Sequence, residues 1–469
     1  MKSFRSICIF FILPVYGFAQ TAASYNSAAN LPAAPMPQGS SPTAANALSM
    51  AQQPTAPQIT PGSPLPLSLK DAETLAIRNN PQISSARLIA LVSRQVTREA
   101  RSNLWPTAAV DLTAVDSDPG SRITAGALNN PSVYPRAAAG AIVTELITDF
   151  GRTTNLISSA NLAEKAENQN AEATKEQILL AVDQAFYNAL QTHAVLTVAQ
   201  QTMSDRQTVS NQVGALFKSK LKSELDFSFA NVNLAQAKLL LLDAQNNEQA
   251  ALAALSAVLG FSRLQSFQLV EDSAPGAAPP GNVDDLIATA FSLRPEILAL
   301  EFQSESAIKF QKAERDLLLP DIRALGAVGD TPVRNPVISP NWYWAAGVNI
   351  DIPVFNGFLF TARTHEAQLK AQATQEKLRD LRDRIARDVR TSWLNANAAY
   401  GRLAVTQQLL DQASLALSLA QSRYRLGLSS IVELSQAQLQ QTQAQIGNVA
   451  AGYDYRLALA VLKFQTSGI

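Results

Sequence analysis

The apolar positions of this chain run at two periods, helical and alternating, and the change from one to the other occurs twice in the same order. In LSLKDAETLAIRNNPQI the spacing predicts a short helix from Ser68, with Asp71 in its first turn, ending before Pro81. A second helix runs from there to about Trp105 and stops at Pro106. The period then falls to two. Ala108, Val110, Leu112 and Ala114 share one face and Thr107, Asp111 and Thr113 the other, which predicts a strand over 107–115. Beyond a loop at 116–136 rich in Pro, Gly and Asn, a weaker alternation marks a second strand near 138–148. Phe150-Gly151 follows, then a proline-free helical run over roughly 152–217, a turn at 218–222 and a return helix over about 223–259.

The whole order is duplicated, which points to a symmetric assembly. A shift of 214 positions carries Ala76, Pro81, Ile83, Leu104 and Pro106 onto Ala290, Pro295, Ile297, Leu318 and Pro320. A shift of 207 carries Phe217, Lys218, Leu221, Ser223, Asp226, Ala230 and Ala237 onto Tyr424, Arg425, Leu428, Ser430, Glu433, Ala437 and Ala444. The second pair of strands is cleaner. Ile322, Ala324, Gly326 and Val328 alternate with Asp321 and Arg323 over 321–329; after a loop at 330–341, Trp344, Ala346, Val348, Ile350 and Ile352 oppose Asn349 and Asp351 over 343–352. Phe355-Asn356-Gly357 leads into a helix over about 358–425, a turn at 426–430 and a return helix over 430–464. At 1.5 Å per residue each long helix would reach about 100 Å, too long for a globular core, so it needs partners along its side. Its apolar stripe (Ile178, Val182, Ala185, Ala189) is thin and the rest largely Ala, Gln, Asn, Ser and Thr, which suits a wall wetted on both faces.

Strands apolar on one face and polar on the other fit a transmembrane barrel, with Trp342, Tyr343, Trp344, Trp105 and Tyr134 near strand ends as interfacial aromatics. A soluble sandwich is less favoured, because nothing between the two strand pairs offers a second sheet. Four strands cannot close a barrel and lipid does not tolerate an open edge, so closure is expected from several chains.

Composition removes other classes. The 469 residues are 47% hydrophobic and 16% charged with zero net charge, so no nucleic-acid surface is expected. Lys2 and Arg5 precede an apolar run from Ile7 to Leu13 and small residues up to Ala19, the pattern of a signal peptide over 1–19. Residues 20–64, rich in Pro, Ala and Ser, read as a disordered tail. Cys8 falls in the segment to be removed, and His193 and His365 stand alone in helical stretches, so neither a disulfide, a metal site nor a catalytic residue is expected. No phosphate-cradling loop or activated nucleophile appears, and no cofactor is implied. Gly214 and Gly447 read as small residues at close helix contacts. Structural repeats are expected over 65–270 and 283–469, with an exposed linker at 271–282.

The duplicated order of short helices, strand pair, FG or FNG, long helix, turn and return helix, together with YRLGLSSIVELSQAQLQQTQA, resembles the TolC family of outer-membrane efflux proteins over about 65–469. The resemblance implies a mainly α fold with a small β part: a trimeric, twelve-stranded outer-membrane β-barrel continued by a long α-helical periplasmic barrel. It implies a passive exit duct of a tripartite efflux pump or type I secretion system in a Gram-negative outer membrane, working with a periplasmic adaptor and an inner-membrane transporter. The turns become the periplasmic tip. Tyr424 and Gly427 match the family's Tyr-x-x-Gly, whereas the latch arginine position holds Ser429, and the two pore aspartate positions hold Glu433 and Gln436. Pore-gate candidates are therefore Tyr424, Glu433 and its repeat partner Asp226, with Phe217; three converging copies of Glu433 would attract cations. Adaptor-contact candidates are Leu426, Gly427, Leu428, Ser429 and Ser430, with Lys220 and Leu221 in the first turn. The competing reading is a periplasmic helical-hairpin adaptor with no channel, which leaves the strand alternation without purpose.

Overall fold

The computed structural model describes residues 65–118, 135–265, 267–271, 278–333 and 341–467, all within the unit Gly62–Ile469. The expected signal peptide, the tail, Cys8, Tyr134 and most of both long loops lie outside the described residues, as does part of the linker.

The chain enters through β1 (Leu65–Leu67), α1 (Leu69–Asn79) and α2 (Pro81–Ser102). Ser68 caps α1 by accepting from the Asp71 amide at 3.2 Å, as its place before the helical period predicts. Asn80 ends α1 and starts α2: its side-chain oxygen accepts from the Gln82 amide at 2.8 Å while Pro81 takes the first helical position. Its amide group also donates to the Val258 carbonyl at 2.9 Å. Gly260, at φ +85°, closes that corner, and a Cβ there would stand 2.7 Å from the Asn79 carbonyl.

Four strands form one antiparallel sheet in the order β2 (Thr107–Val115), β3 (Arg136–Thr148), β5 (Asp321–Val333), β6 (Trp342–Asp351). Each agrees with its expected span to within a few residues. The register places Gly140 beside Gly329 and Gly329 beside Tyr343. Both edges, β2 and β6, are unpaired within the chain. Among the described residues no second layer covers the sheet: Val110 and Leu112 are 76% and 80% exposed, and Trp344, Val348 and Ile350 stand out on the matching face of β6. Tyr343 departs from the expected grouping with Trp342 and Trp344. Strand period two turns it to the opposite face, where its ring lies over two glycines; a Cβ on Gly329 would come within 2.5 Å of its hydroxyl.

The long helices are α3 (Arg152–Lys218) and α7 (Leu359–Arg425), each of 67 residues, with return helices α4 (Glu224–Val258) and α8 (Ile431–Ser467). The FG and FNG motifs gain a physical reason here. The chain bends from strand to helix through consecutive left-handed residues, Phe150 and Gly151 at φ 54° and 114°, then Gly357 and Phe358 at 62° and 64°. Asp149 steadies the first bend, its carboxylate accepting from the Thr153 amide at 2.7 Å and the Gly151 amide at 3.3 Å. Along α4 the buried positions include Ala230, Ala237, Ala244 and Ala251, and along α8 Ala437, Ala444 and Ala451. A small residue every seven is the signature of helices held close in a left-handed supercoil. Gly214 meets its expected close contact, with the Phe227 ring 3.0 Å from a built Cβ, but Gly447 has nothing within 4 Å in this chain.

The second repeat opens with α5 (Val283–Leu293) and α6 (Pro295–Arg315). Both repeats bury matching positions on these short helices and their long ones: Ala76 and Val182 in one core, Ala290 and Val389 in the other. Two elements had no sequence expectation. The three-residue β1 pairs in parallel with β4 (Phe267–Leu269), tying the start of the fold to the end of the first repeat.

Candidate functional site

Strand-to-helix order places the two turns at the ends of α3 and α7 farthest from the sheet, about 100 Å along helices of this length. Both turns use one device. The Leu221 amide returns to the Leu216 carbonyl at 2.9 Å, and the Leu428 amide to the Arg423 carbonyl at 2.8 Å, the six-to-one bond that closes a helix through a left-handed residue. That residue is Gly427 at φ 73° in the second turn and Lys220 at φ 58° in the first. Leu221, Leu426 and Leu428 project as the exposed apolar ends, each more than two-thirds exposed. Ser430 caps α8 by accepting from the Glu433 amide at 3.3 Å, and the Ser429 hydroxyl beside it is a buried atom without a hydrogen-bond partner.

The four gate candidates divide between packing and charge. Tyr424 is 8% exposed and sits in a core with Val213, Ala230, Ile431 and Leu434 that joins the two hairpins. Lys222 reaches from the first turn to put its ammonium 4.0 Å above the Tyr424 ring. Burial pushes the Tyr424 phenol up, helped by the nearby Asp226 charge, and its hydroxyl has no hydrogen-bond partner. Asp226 itself completes a capping box with Ser223: the Ser223 amide donates to its carboxylate at 3.2 Å, and the Asp226 amide donates to the Ser223 hydroxyl at 3.1 Å. Glu433 is half exposed and pairs with Arg423 at 3.4 Å. Phe217 stacks on Phe227 with ring centres 5.6 Å apart.

Contacts that the sequence did not single out bind one hairpin to the other. Asn233 on α4 donates to the Ser435 hydroxyl at 2.6 Å. Arg206 on α3, 8% exposed, donates to the Gln438 carbonyl at 2.9 Å and to the Thr442 hydroxyl at 3.2 Å. Burial lowers its pKa, against the pull of the Asp205 carboxylate. Between the hairpins lies a cavity of about 500 Å³ lined by Arg206, Lys222, Gln421, Tyr424 and Gln438 among others. The one available signal for Lys222 is the duplication itself, since a shift of 207 sets it against Ser429. Among the described residues no group of three or more His, Cys, Asp or Glu is placed to hold a metal ion. His193 is bonded to Glu248 at 2.6 Å on the surface.

A family model described as "Outer membrane efflux protein" matches residues 74–261 and 286–466. The chain is 20% identical over 324 residues to the outer membrane efflux protein BepC of Brucella suis, a match covering 68% of this chain and 69% of that one. It is 28% identical over 117 residues to the outer membrane protein TolC of Vibrio cholerae, where the match spans 25% of this chain and 27% of the relative. Among solved structures the fold is similar to that of CusC, with a TM-score of 0.75 at 17% identity, covering 90% of this chain and 99% of the other.

Proposed function

The chain belongs to the outer membrane efflux protein family, and from that membership we propose that it is an outer-membrane channel whose helices carry a passive duct into the periplasm. The single observation that carries this reading is the sheet: four strands, apolar on one face, open at both edges and attached to helix pairs far longer than any core they could serve. Only closure removes such edges from lipid.

The second repeat supports closure by copies of the chain. α6 lies between α3 and α7, whereas its counterpart α2 packs along α3 and leaves Leu88, Ile89, Val92 and Val96 about half to two-thirds exposed. If the order of the repeats continues from chain to chain, the α7 of a neighbouring copy covers that face, and β6 of one copy pairs with β2 of the next. Three copies of four strands give the twelve-stranded barrel of the resemblance. A periplasmic adaptor that meets Leu221 and the 426–430 turn, and an inner-membrane transporter behind it, complete the pump.

The tip then acts as the gate. Lys222 on Tyr424, Asn233 on Ser435 and Arg206 on α8 hold the two hairpins of one chain together, and parting them widens the narrow end. The reading is tested by fractionating cells and adding purified protein to planar bilayers. Heat-modifiable trimers in the outer membrane and discrete conductance steps are expected; a soluble periplasmic monomer without conductance would restore the adaptor reading.

A further inference from the structure

Two acidic residues one heptad apart on α3, Glu176 and Asp183, are buried at the level where the short helices meet the long one, at 8% and 5% exposure. Neither has an ion-pair partner at contact distance in the way Glu314 has Arg363. What faces them is more acid. Asp183 lies within hydrogen-bonding reach of the Glu73 carboxylate on α1, with Lys463 of α8 as the cation acting on it, and its Oδ1 is buried without a partner. Glu176 faces Glu296 at the start of α6, with Glu172 and Lys175 on its own helix and Arg294 nearby. Arg294 is already engaged: it pairs with Glu296 at 3.0 Å, donates to Gln465 at 2.7 Å and lies over the Phe464 ring. Each buried acid therefore stands between α3 and a different short helix, and the last turns of α8 reach both, through the Lys463 charge on Asp183 and the Gln465 bond to Arg294.

We propose that this double carboxyl cluster, Asp183 against Glu73 and Glu176 against Glu296, is a pH-operated joint that clamps α1, α6 and the end of α8 onto α3 in acid and loosens them in weak base. With its proton each buried acid is neutral beside the neighbouring carboxylate; once that proton leaves, a buried charge stands next to a like charge. Burial pushes Asp183 up to about 7, with the Glu73 charge adding and Lys463 opposing. Burial likewise pushes Glu176 up to about 7, aided by Glu296 and Glu172 and opposed by Lys175 and Arg294. A carboxyl raised in the closed state holds its proton more tightly there than in the open state. The closed joint is thus fully favoured below the ordinary carboxylate range, and its advantage is lost as pH rises to about 7. The midpoint falls where the pH of an outer compartment can vary, and the joint sits on the same long helix whose far end forms the tip.

The test is amide hydrogen exchange on the full-length protein at about pH 5.5 and about pH 8.5, corrected for the intrinsic rate at each pH. Opening of 69–79 and 459–467 should rise roughly thirtyfold for each carboxyl that regains its ordinary pKa, while the strands stay unchanged. Asp183→Asn with Glu176→Gln, which mimics the protonated cluster, should keep the acid-state protection at both pH values. Equal corrected protection of the wild type at both pH values, or a variant that keeps the wild-type response, would overturn the proposal. Should the double variant not assemble, infrared titration of the wild type against each single variant decides: protonated carboxyl absorption must disappear on passing through about pH 7 and be weaker from the start in each single variant, and unchanged absorption in either would overturn the proposal.

Discussion

At the scale of single residues the proposed gate turns on Lys222, whose ammonium lies 4.0 Å above the Tyr424 ring while the matching position of the second turn is Ser429. A cation over a buried tyrosine is worth about 0.5–2 kcal/mol, enough to shift a two-state opening about twofold to thirtyfold. Lys222→Met should therefore raise the open fraction in planar bilayers, and Lys222→Arg should restore the wild-type pattern. If Met and Arg behave alike, the contact does not hold the tip. The Arg423 and Glu433 pair is exposed on both sides, where such bridges contribute about 0–1 kcal/mol, so Glu433→Gln should leave assembly intact. If its carboxylate faces the duct, the same change should weaken cation selectivity and block by multivalent cations; unchanged selectivity would turn the residue away from the pore. In the sheet, Gly329→Ala meets both the Tyr343 ring and the Ala139 carbonyl at 2.7 Å or less. It should lower the heat resistance of the assembled protein, and the extra change Tyr343→Ala should recover only part of the loss, because the backbone contact remains.

At the scale of elements, small residues decide how closely the helices approach. Ala244 is 3% exposed and packs with Leu196 and Ala199, so Ala244→Leu should cost about 1–3 kcal/mol through overpacking, read as a lower thermal midpoint. Gly427 is a different case. Nothing lies within 4 Å of a Cβ there, so Gly427→Ala should pay only the left-handed backbone cost, about 1–2 kcal/mol, with Gly427→Asn milder. A full loss of export with trimers intact on Gly427→Trp would then report on docking rather than folding, while normal export would take the turn out of the contact. These elements were legible wherever a single period ran long enough. The spans of α3 and α7 came within a residue of their expected ends because no proline or turn cluster interrupts them. The 107–115 strand was legible from its strict alternation, whereas β3 blurs across AAAGA and began two residues earlier than expected. β1 and β4 escaped because three residues hold no period. The hairpin turns were legible as turns, but Lys222, Arg206 and Asn233 act on residues some two hundred positions away, and no local pattern reports such a contact.

At the scale of the molecule, the open sheet edges and the bare face of α2 make the folded chain an incomplete object. Val92→Arg adds a charge to a side chain 62% exposed in the chain, so it should leave helix content unchanged and reduce the trimer in cross-linking; an unaltered trimer would remove α2 from the interface. A cysteine at Asp118, at the end of β2 remote from the helices, should react with an impermeant reagent on intact cells, as should one at Asn335 in the loop between β5 and β6; labelling only after lysis would invert the topology. α3 and α7 are equally long, 67 residues each, so in the proposed trimer six rods of one gauge would end flush. A tube cut square can seal against a flat partner, but one with alternating long and short staves leaks at every notch. Insertions in such a protein must then be entered in both arms of both hairpins and in whole heptads: adding seven residues to α3 alone should leave a leaking, unpaired end, while the same addition to all four helices should yield a longer duct that still docks.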